Sequence, residues 1–328
     1  MAKGEKAAMR TAARQQMRQL KKMNTLSWKE DWKKNKMVYI LFLPVAVYMI
    51  VTHYLPMFGV VMAFQDFNLA KGIFGSKFVG WDNFVELFTG EAFLNALKNT
   101  FIMSGMSLVI GFLPGLLFAL AISEVRNKKF KRVVQMMSYM PNFVAAMVVA
   151  NLAILFLGID GPLTSLLTAF GFDRQNWLAN PNPPVFWLIH TFIGMWQTGG
   201  FGSIMLVAAI ANINGDLLEA AAIDGASRWQ RVLRITIPCI TPMLGMMFVL
   251  NIAVSFRTIG NMVLLLYMPQ TYSVADCLYT YTYRLAFGRT PDMGMSAASG
   301  LFQSVVGTIL LILGNKLSKK FNSDAALF

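Results

Sequence analysis

Charge is scarce in this chain, and so are the residues behind most enzymatic and metal chemistry. Only 14% of its 328 residues are charged, against about 25% in an ordinary soluble domain. The two cysteines, Cys239 and Cys277, lie far apart without ligand spacing and read as unpaired thiols. Two histidines, His53 and His190, are too few for a zinc or Ser-His-Asp site, so no metal is expected. There is no GxxxxGK[ST] phosphate loop, so ATP hydrolysis by that route is not expected of this chain. No cleavable signal peptide is expected, because residues 1–36 are polar and basic and the first apolar run is too long and too late for an h-region. No soluble stretch is large enough for an enzyme domain.

Apolar residues are abundant, at 56%, with a mean hydropathy of +0.52. Spanning lipid requires each segment to satisfy its own backbone, as helices or closed barrels do. The long apolar runs here do not alternate as barrel strands would. An all-α polytopic membrane protein follows. A crossing needs about 20 apolar residues, and six stretches qualify: about 37–64, 100–123, 133–157, 185–210, 241–266 and 293–314. Residues 1–36 form a basic amphipathic segment, and 37–328 form the membrane domain.

Net charge is +13, but the basic residues flank apolar runs and do not cover one soluble face, so nucleic acid is not an expected partner. Of 29 Lys and Arg, 22 fall in the N-terminal segment, the loops after the second and fourth spans, and the tail. Six fall in the opposite loops, and Arg257 lies within a span. The positive-inside rule therefore places both termini in the cytoplasm, as an even number of spans requires. Met9, Ala13, Met17, Leu20 and Met23 share one helical face, with Arg10, Arg14, Arg18, Lys21 and Lys22 around it. This is the pattern of a helix lying on an anionic leaflet, although a basic tail that only fixes topology is also open.

The most informative stretch is 214–238. Asp216 with Glu219 has capping-box spacing, and Ser227 with Gln230 repeats it. Gly225 is suited to the left-handed turn that ends a helix. A short helix, a sharp turn and a second short helix are expected, leading through Pro238 and Pro242 into the fifth span. Ala220, Ala221 and Ala222 keep the ridge low, so another protein can approach its backbone. Glu219, Asp224 and Arg228 supply polar fixing points.

Glu219-Ala220-Ala221, then Gly225 six residues after the glutamate, then Ile235-Thr236-Ile237-Pro238, resembles the signature loop of ABC importer permeases. Ala221 to Ala226 also resembles the Ala-x-x-Asp-Gly-Ala form common in sugar permeases, while Ile237 replaces the family's usual Leu. Phe64-Gln-Asp-Phe-Asn68, Gly80-Trp-Asp-Asn-Phe84 and Asn99-Thr100 look like the binding-protein-dependent carbohydrate permeases, especially those for polysaccharide fragments and oligosaccharides. The resemblance implies the type I ABC importer permease fold in a bacterial cytoplasmic (inner) membrane. It implies a second homologous permease, two ATPase subunits that use ATP and Mg, and an extracytoplasmic solute-binding protein, with no cofactor on this chain. It makes 214–238 the cytoplasmic coupling loop, with Glu219, Ala220, Ala221, Asp224, Gly225, Ala226 and Arg228 as its contact positions.

Substrate contacts are sought among polar groups within spans, since an ionisable group there usually faces an interior cavity. Arg257 heads this set. Asn251 and Asn261, ten residues apart, are expected close to a shared face with Arg257 offset from it. Trp196 and Gln197 have the chemistry to stack on and hydrogen-bond a sugar, and helix packing is the other reading of Trp196. If Arg257 lines the path, an acidic oligosaccharide such as a uronate oligomer is indicated. Gly111 and Gly115, around Pro114, form a GxxxG pair for close helix packing. Tyr279, Tyr281 and Tyr283 suit either a loop facing the binding protein or an interfacial belt. An importer of a non-sugar solute, an intramembrane enzyme and a passive channel are the competing functions. The enzyme would need paired ionisable groups within spans, and the channel would not need the 214–238 loop.

Overall fold

The computed structural model describes residues 28–321; the amphipathic pattern of residues 9–23 lies outside them. Among the described residues, six helical stretches are long and apolar enough to cross a membrane: Asp31–Phe64, Glu91–Ser123, Ala146–Ala169, Pro183–Ala211, Arg228–Arg257 and Met293–Lys320. The chain divides into two compact units, meeting in sequence between Gly59 and Val60.

In the first unit, α1 (Trp28–Met49) carries Pro44 and is followed by a π-turn over Ile50–Tyr54. Pro56 explains the π-turn. A proline offers no N–H and its ring crowds the preceding turn, so the ladder widens just before it.

The second unit opens with a two-stranded antiparallel ribbon, β1 (Gln65–Asp66) with β2 (Lys77–Phe78). Helix α2 (Asp82–Thr89) follows and buries Phe84 and Leu87. Asn83 ties the two together by donating to the Ala63 and Gln65 carbonyls. The second crossing is α3 (Glu91–Val109) and α4 (Phe112–Ser123), starting about nine residues before the apolar stretch.

The third crossing is broken. Helix α5 (Lys128–Tyr139) is capped by Asn127, whose side chain accepts the Lys129 and Phe130 N–H groups. A 3-10 turn over Met140–Phe143 leads to α6 (Ala146–Leu157). Twelve residues rise only about 18 Å, too short for a core about 30 Å thick, so neither half crosses alone. Length and hydropathy single out 146–169. That stretch, however, is broken by a turn at Gly158–Gly161 before α7 (Pro162–Ala169), where a Cβ on Gly161 would lie 2.3 Å from the Phe156 carbonyl oxygen. The crossing is better followed along α8 (Pro183–Ala211). Ser138 meets α8 at Gly200, Val144 meets it at Gln197, and Ala150 and Leu157 share a core with Phe186. Residues 128–157 thus run antiparallel to α8 as two half-helices.

Glycines set the tightest seam. Gly115 of α4 meets the Gly199 carbonyl of α8, and Gly199 meets Pro114, so Gly115 packs against the fourth crossing, whereas a Cβ on Gly111 would meet only Ser107 of its own segment. At Gly200 a Cβ would sit 2.0 Å from the Ser138 carbonyl oxygen, so no larger residue fits.

Beyond α8 come α9 (Gly215–Ile223), α10 (Arg228–Arg231), a π-turn over Val232–Thr236, α11 (Ile237–Thr258) and α12 (Gly260–Leu266). The second π-turn precedes Pro238 as the first precedes Pro56. The fifth apolar stretch, expected as one helix over 241–266, therefore starts earlier and is interrupted at Ile259.

Helix α13 (Leu278–Phe287) does not span. Spans two and four fix the segment that leads into it. Asn95 and Asn99 donate to the Ser273 carbonyl, Asn99 also to Asp276, and the Trp187 indole to Val274. Thr100 Oγ1 accepts the Leu278 N–H. Asp276 holds Arg284 through two bonds of 2.6 Å and accepts a third from Thr280. Arg284 lies over the Tyr272 ring, whose other neighbour is the stacked Tyr267. The three tyrosines of α13 diverge. Tyr281 is buried against Phe93, Tyr279 packs on Gly260, and Tyr283 is exposed beside Phe287. The last crossing, α14 (Met293–Phe321), packs on α11.

Candidate functional site

The 214–238 loop is built from local signals. Its first cap is Asn214, whose side chain accepts the Asp216 N–H at 3.0 Å. The expected Asp216–Glu219 box is not formed, because Asn214 has the extended backbone of a cap and Asp216 is already inside the helix. Asp216 instead places a negative charge at the positive end of α9. The C-terminal end is a Schellman turn: Ala226 N–H donates to the Ala221 carbonyl and Gly225 N–H to Ala222. Gly225 has φ +80, the left-handed conformation expected of it. The second expected box is present. Gln230 N–H donates to Ser227 Oγ at 3.3 Å, and Ser227 N–H to Gln230 Oε1 at 2.8 Å.

Two caps and a turn thus set α9 and α10 at a fixed angle. Glu219, Ala220, Asp224, Gly225 and Arg228 are exposed, and Ala221 and Ala226 are half-buried. Around them Ile223 is 87% exposed and Trp229 76% exposed. Large apolar side chains beside carboxylates and an arginine, on a rigid ridge, suit capture by another protein's cleft.

A groove of about 350 Å³ lies where α3, α4, α8 and α11 meet. Its polar lining is hydroxyl and amide: Ser107, Asn142, Thr191, Thr198, Asn251 and Ser255. Among the described residues, no charged side chain lines it. A second cavity, of about 440 Å³, shares Met195 and Gly199 with it and carries Trp196. Trp196 and Asn251 are thereby brought to adjoining spaces. Gln197 is not, since its amide N–H is taken by the Val144 carbonyl at the break in the third crossing. That interhelical bridge was hidden from sequence because nothing local pairs 197 with 144.

Asn251 and Asn261 do not share a face. Asn251 is half-buried toward the groove, and its amide N–H bonds the Met247 carbonyl. Asn261 is exposed beyond the interruption. Its companion is Arg257: Leu250, Val254, Arg257 and Asn261 are all exposed, at steps of four, three and four, one helical stripe. The depth of that stripe follows from Gln303, whose amide N–H donates to the Phe256 carbonyl at 3.1 Å. Gln303 is ten residues into the 29-residue α14, about 15 Å from its start. Arg257 therefore sits well inside the crossing. Cys277 is buried, which pushes its thiol up and keeps it protonated.

Six membrane-length helices with this ridge between the fourth and fifth have the architecture of a transport permease subunit. The chain belongs to the binding-protein-dependent transport system inner membrane component family, whose model matches residues 107–323. It is 34% identical over 294 residues to the polygalacturonan/rhamnogalacturonan transport system permease protein YteP of Bacillus subtilis (strain 168), covering 89% of this chain and 90% of that one. Protein LplB of the same organism is 32% identical over 303 residues, covering 91% and 93%. A chain of a bacterial ABC transporter involved in the import of the acidic polysaccharide alginate superposes with a TM-score of 0.81 at 35% identity, covering 90% of this chain and 99% of that one. In the alginate transporter solved with its periplasmic protein bound to an alginate pentasaccharide, the score is again 0.81, at 36% identity, covering 90% and 97%.

Proposed function

We propose that this chain is one of two permease walls of an ATP-driven importer that passes an acidic oligosaccharide through the inner membrane. The observation that carries the reading is Arg257. A cation at mid-span facing hydrocarbon costs about 2.5–3.5 kcal/mol on insertion scales and more in simulation. An exposed arginine at that depth indicates that its face meets protein or water in the assembled importer. The groove of Ser107, Thr191, Thr198, Asn251 and Ser255 offers donors and acceptors to sugar hydroxyls, and Trp196 offers an aromatic face. Hydroxyl readers in the groove and one positive charge on another face of the same helix α11 suit a carboxylated sugar better than an amino acid or a polyamine. The names of YteP and of the alginate transporter, both concerned with acidic polysaccharides, support the same substrate class.

In this reading a second, homologous permease supplies the other wall. The 214–238 loop is the coupling element, lies with both termini in the cytoplasm, and docks on one of two ATPase subunits that consume ATP and Mg. An extracytoplasmic binding protein delivers the sugar. This chain binds no cofactor. Nucleotide binding closes the ATPases, moves the loops as rigid bodies and shifts the permease pair between inward- and outward-facing states.

The test is uptake by the complete importer in proteoliposomes, comparing an oligouronate with a neutral oligosaccharide of equal length. Arg257→Gln is expected to lower oligouronate uptake at least fivefold relative to Arg257→Lys, with neutral uptake unchanged. Neutral-only uptake by the unaltered importer would overturn the acidic assignment, as would equal oligouronate rates in the two variants.

A further inference from the structure

The fifth crossing is interrupted at Ile259, and the groups around the interruption come from other helices. The Phe256 carbonyl, which would accept the Gly260 N–H in an unbroken ladder, accepts the Gln303 amide of α14 at 3.1 Å. The His190 imidazole of α8, almost fully buried, lies against the Ile259 carbonyl, and its Nδ1 has no hydrogen-bond partner. Insertion of a side chain into the i→i−4 ladder is one of the few physical causes of a helix kink. Immediately beyond, Gly260 lies flush against α13, where a Cβ would come 2.2 Å from that of Tyr279.

The two sides of this point have different attachments. On one side, residues 228–258 run from the 214–238 ridge through α10, the π-turn and α11 as one rod. On the other, Ile259, Val263 and Leu266 share a core with Phe186, Val274 and Cys277, the region that Asn95, Asn99 and Trp187 fix in place.

We propose that Ile259–Gly260 is a hinge at which the inner rod turns against the fixed outer end of the bundle during transport, and that His190 and Gln303 are positioning residues that set its angle. Gln303 holds the Phe256 carbonyl at the break, and His190 stands at the Ile259 carbonyl that caps the next helix. Releasing these contacts lets the ladder close and straightens the crossing. Remaking them restores the bend. The inference rests on the coupling role of the 214–238 loop, because only a driven rod needs a hinge.

The experiment uses the complete importer in proteoliposomes, titrated with its substrate-loaded binding protein, and reads ATP-dependent uptake as a maximal rate and a half-saturation concentration. Gln303→Met keeps side-chain length and removes the donor. His190→Leu removes the imidazole, and His190→Gln keeps a donor. The double variant His190→Leu/Gln303→Met is expected to lose fivefold or more in maximal rate with half-saturation unchanged, and His190→Gln to recover most of the rate lost by His190→Leu. A wild-type rate in the double variant, with the unaltered importer active, overturns the hinge alone. So does a loss of thermal stability with the rate intact, or a rate loss that His190→Gln does not recover. Absence of ATP-dependent uptake by the unaltered importer overturns the coupling reading and the hinge with it.

Discussion

Gly225 offers a sharp test, because its environment separates conformation from size. Its φ is +80, and a Cβ added there would meet nothing within 4 Å. Bulk is therefore not the obstacle to substitution. The obstacle is the left-handed backbone, which costs an L-residue roughly 1–2 kcal/mol and a β-branched one more. At about 1.4 kcal/mol per factor of ten, Gly225→Ala should reduce the fraction of chains with the turn intact by roughly 5- to 30-fold if the ridge is otherwise marginal. Gly225→Val should abolish the turn in practice. Gly225→Asn, although larger than Ala, should be milder, since asparagine visits this region most readily among the other residues. The assay is ATP-dependent uptake by the reconstituted importer, with insertion and co-purification of partners checked separately. The expected order is Gly, Asn, Ala, Val. An order that follows side-chain volume would refute the conformational argument. Wild-type uptake by Gly225→Val would refute the coupling role of the loop itself.

Other expectations follow from single contacts. Ser227→Ala removes the cap of α10 and should lower importer stability by about 1 kcal/mol, read as a lower melting temperature in nanodiscs, with Ser227→Asp restoring it. Gly200→Ala forces α8 away from Ser138, 2.0 Å from the added Cβ, and should sharply reduce the yield of assembled complex, whereas Gly202→Ala, with open space around it, should not. Asp276→Asn leaves Arg284 without its bidentate partner. Because Arg284 is about a third exposed, the loss should fall near 3 kcal/mol, the low end for breaking a buried pair. A melting temperature within a degree of wild type would refute the buried-pair account.

What the sequence disclosed and what it hid divide along one physical line. Signals carried by neighbours in the chain were legible: six apolar stretches, the turn at Gly225 and the Ser227–Gln230 box. The first cap was misassigned by two residues, because Asn214 and Asp216 are both competent caps and only the backbone decides between them. The ten-residue spacing pairs Asn261 with Asn251 and sets Arg257 apart, but Asn261 shares the exposed stripe of Arg257, because Asn251 turns toward the groove. At the break in the third crossing stands Gln197 and at the interruption at Ile259 stand His190 and Gln303, each distant in sequence from the backbone it meets. No local pattern announces such bonds. The segment before α13 was illegible for the same reason, being fixed by Asn95, Asn99, Thr100 and Trp187 from two other crossings.

The stripe that carries Arg257 also bears on biogenesis. A newly inserted copy without its companion leaves a guanidinium and an asparagine facing acyl chains, along with the bare ridge of Ile223 and Trp229 on the aqueous side. Such an orphan is conspicuous both to membrane proteases and to chaperones. Its lifetime should be set by how quickly the other wall arrives, so balanced synthesis of the two walls becomes a condition for accumulating either.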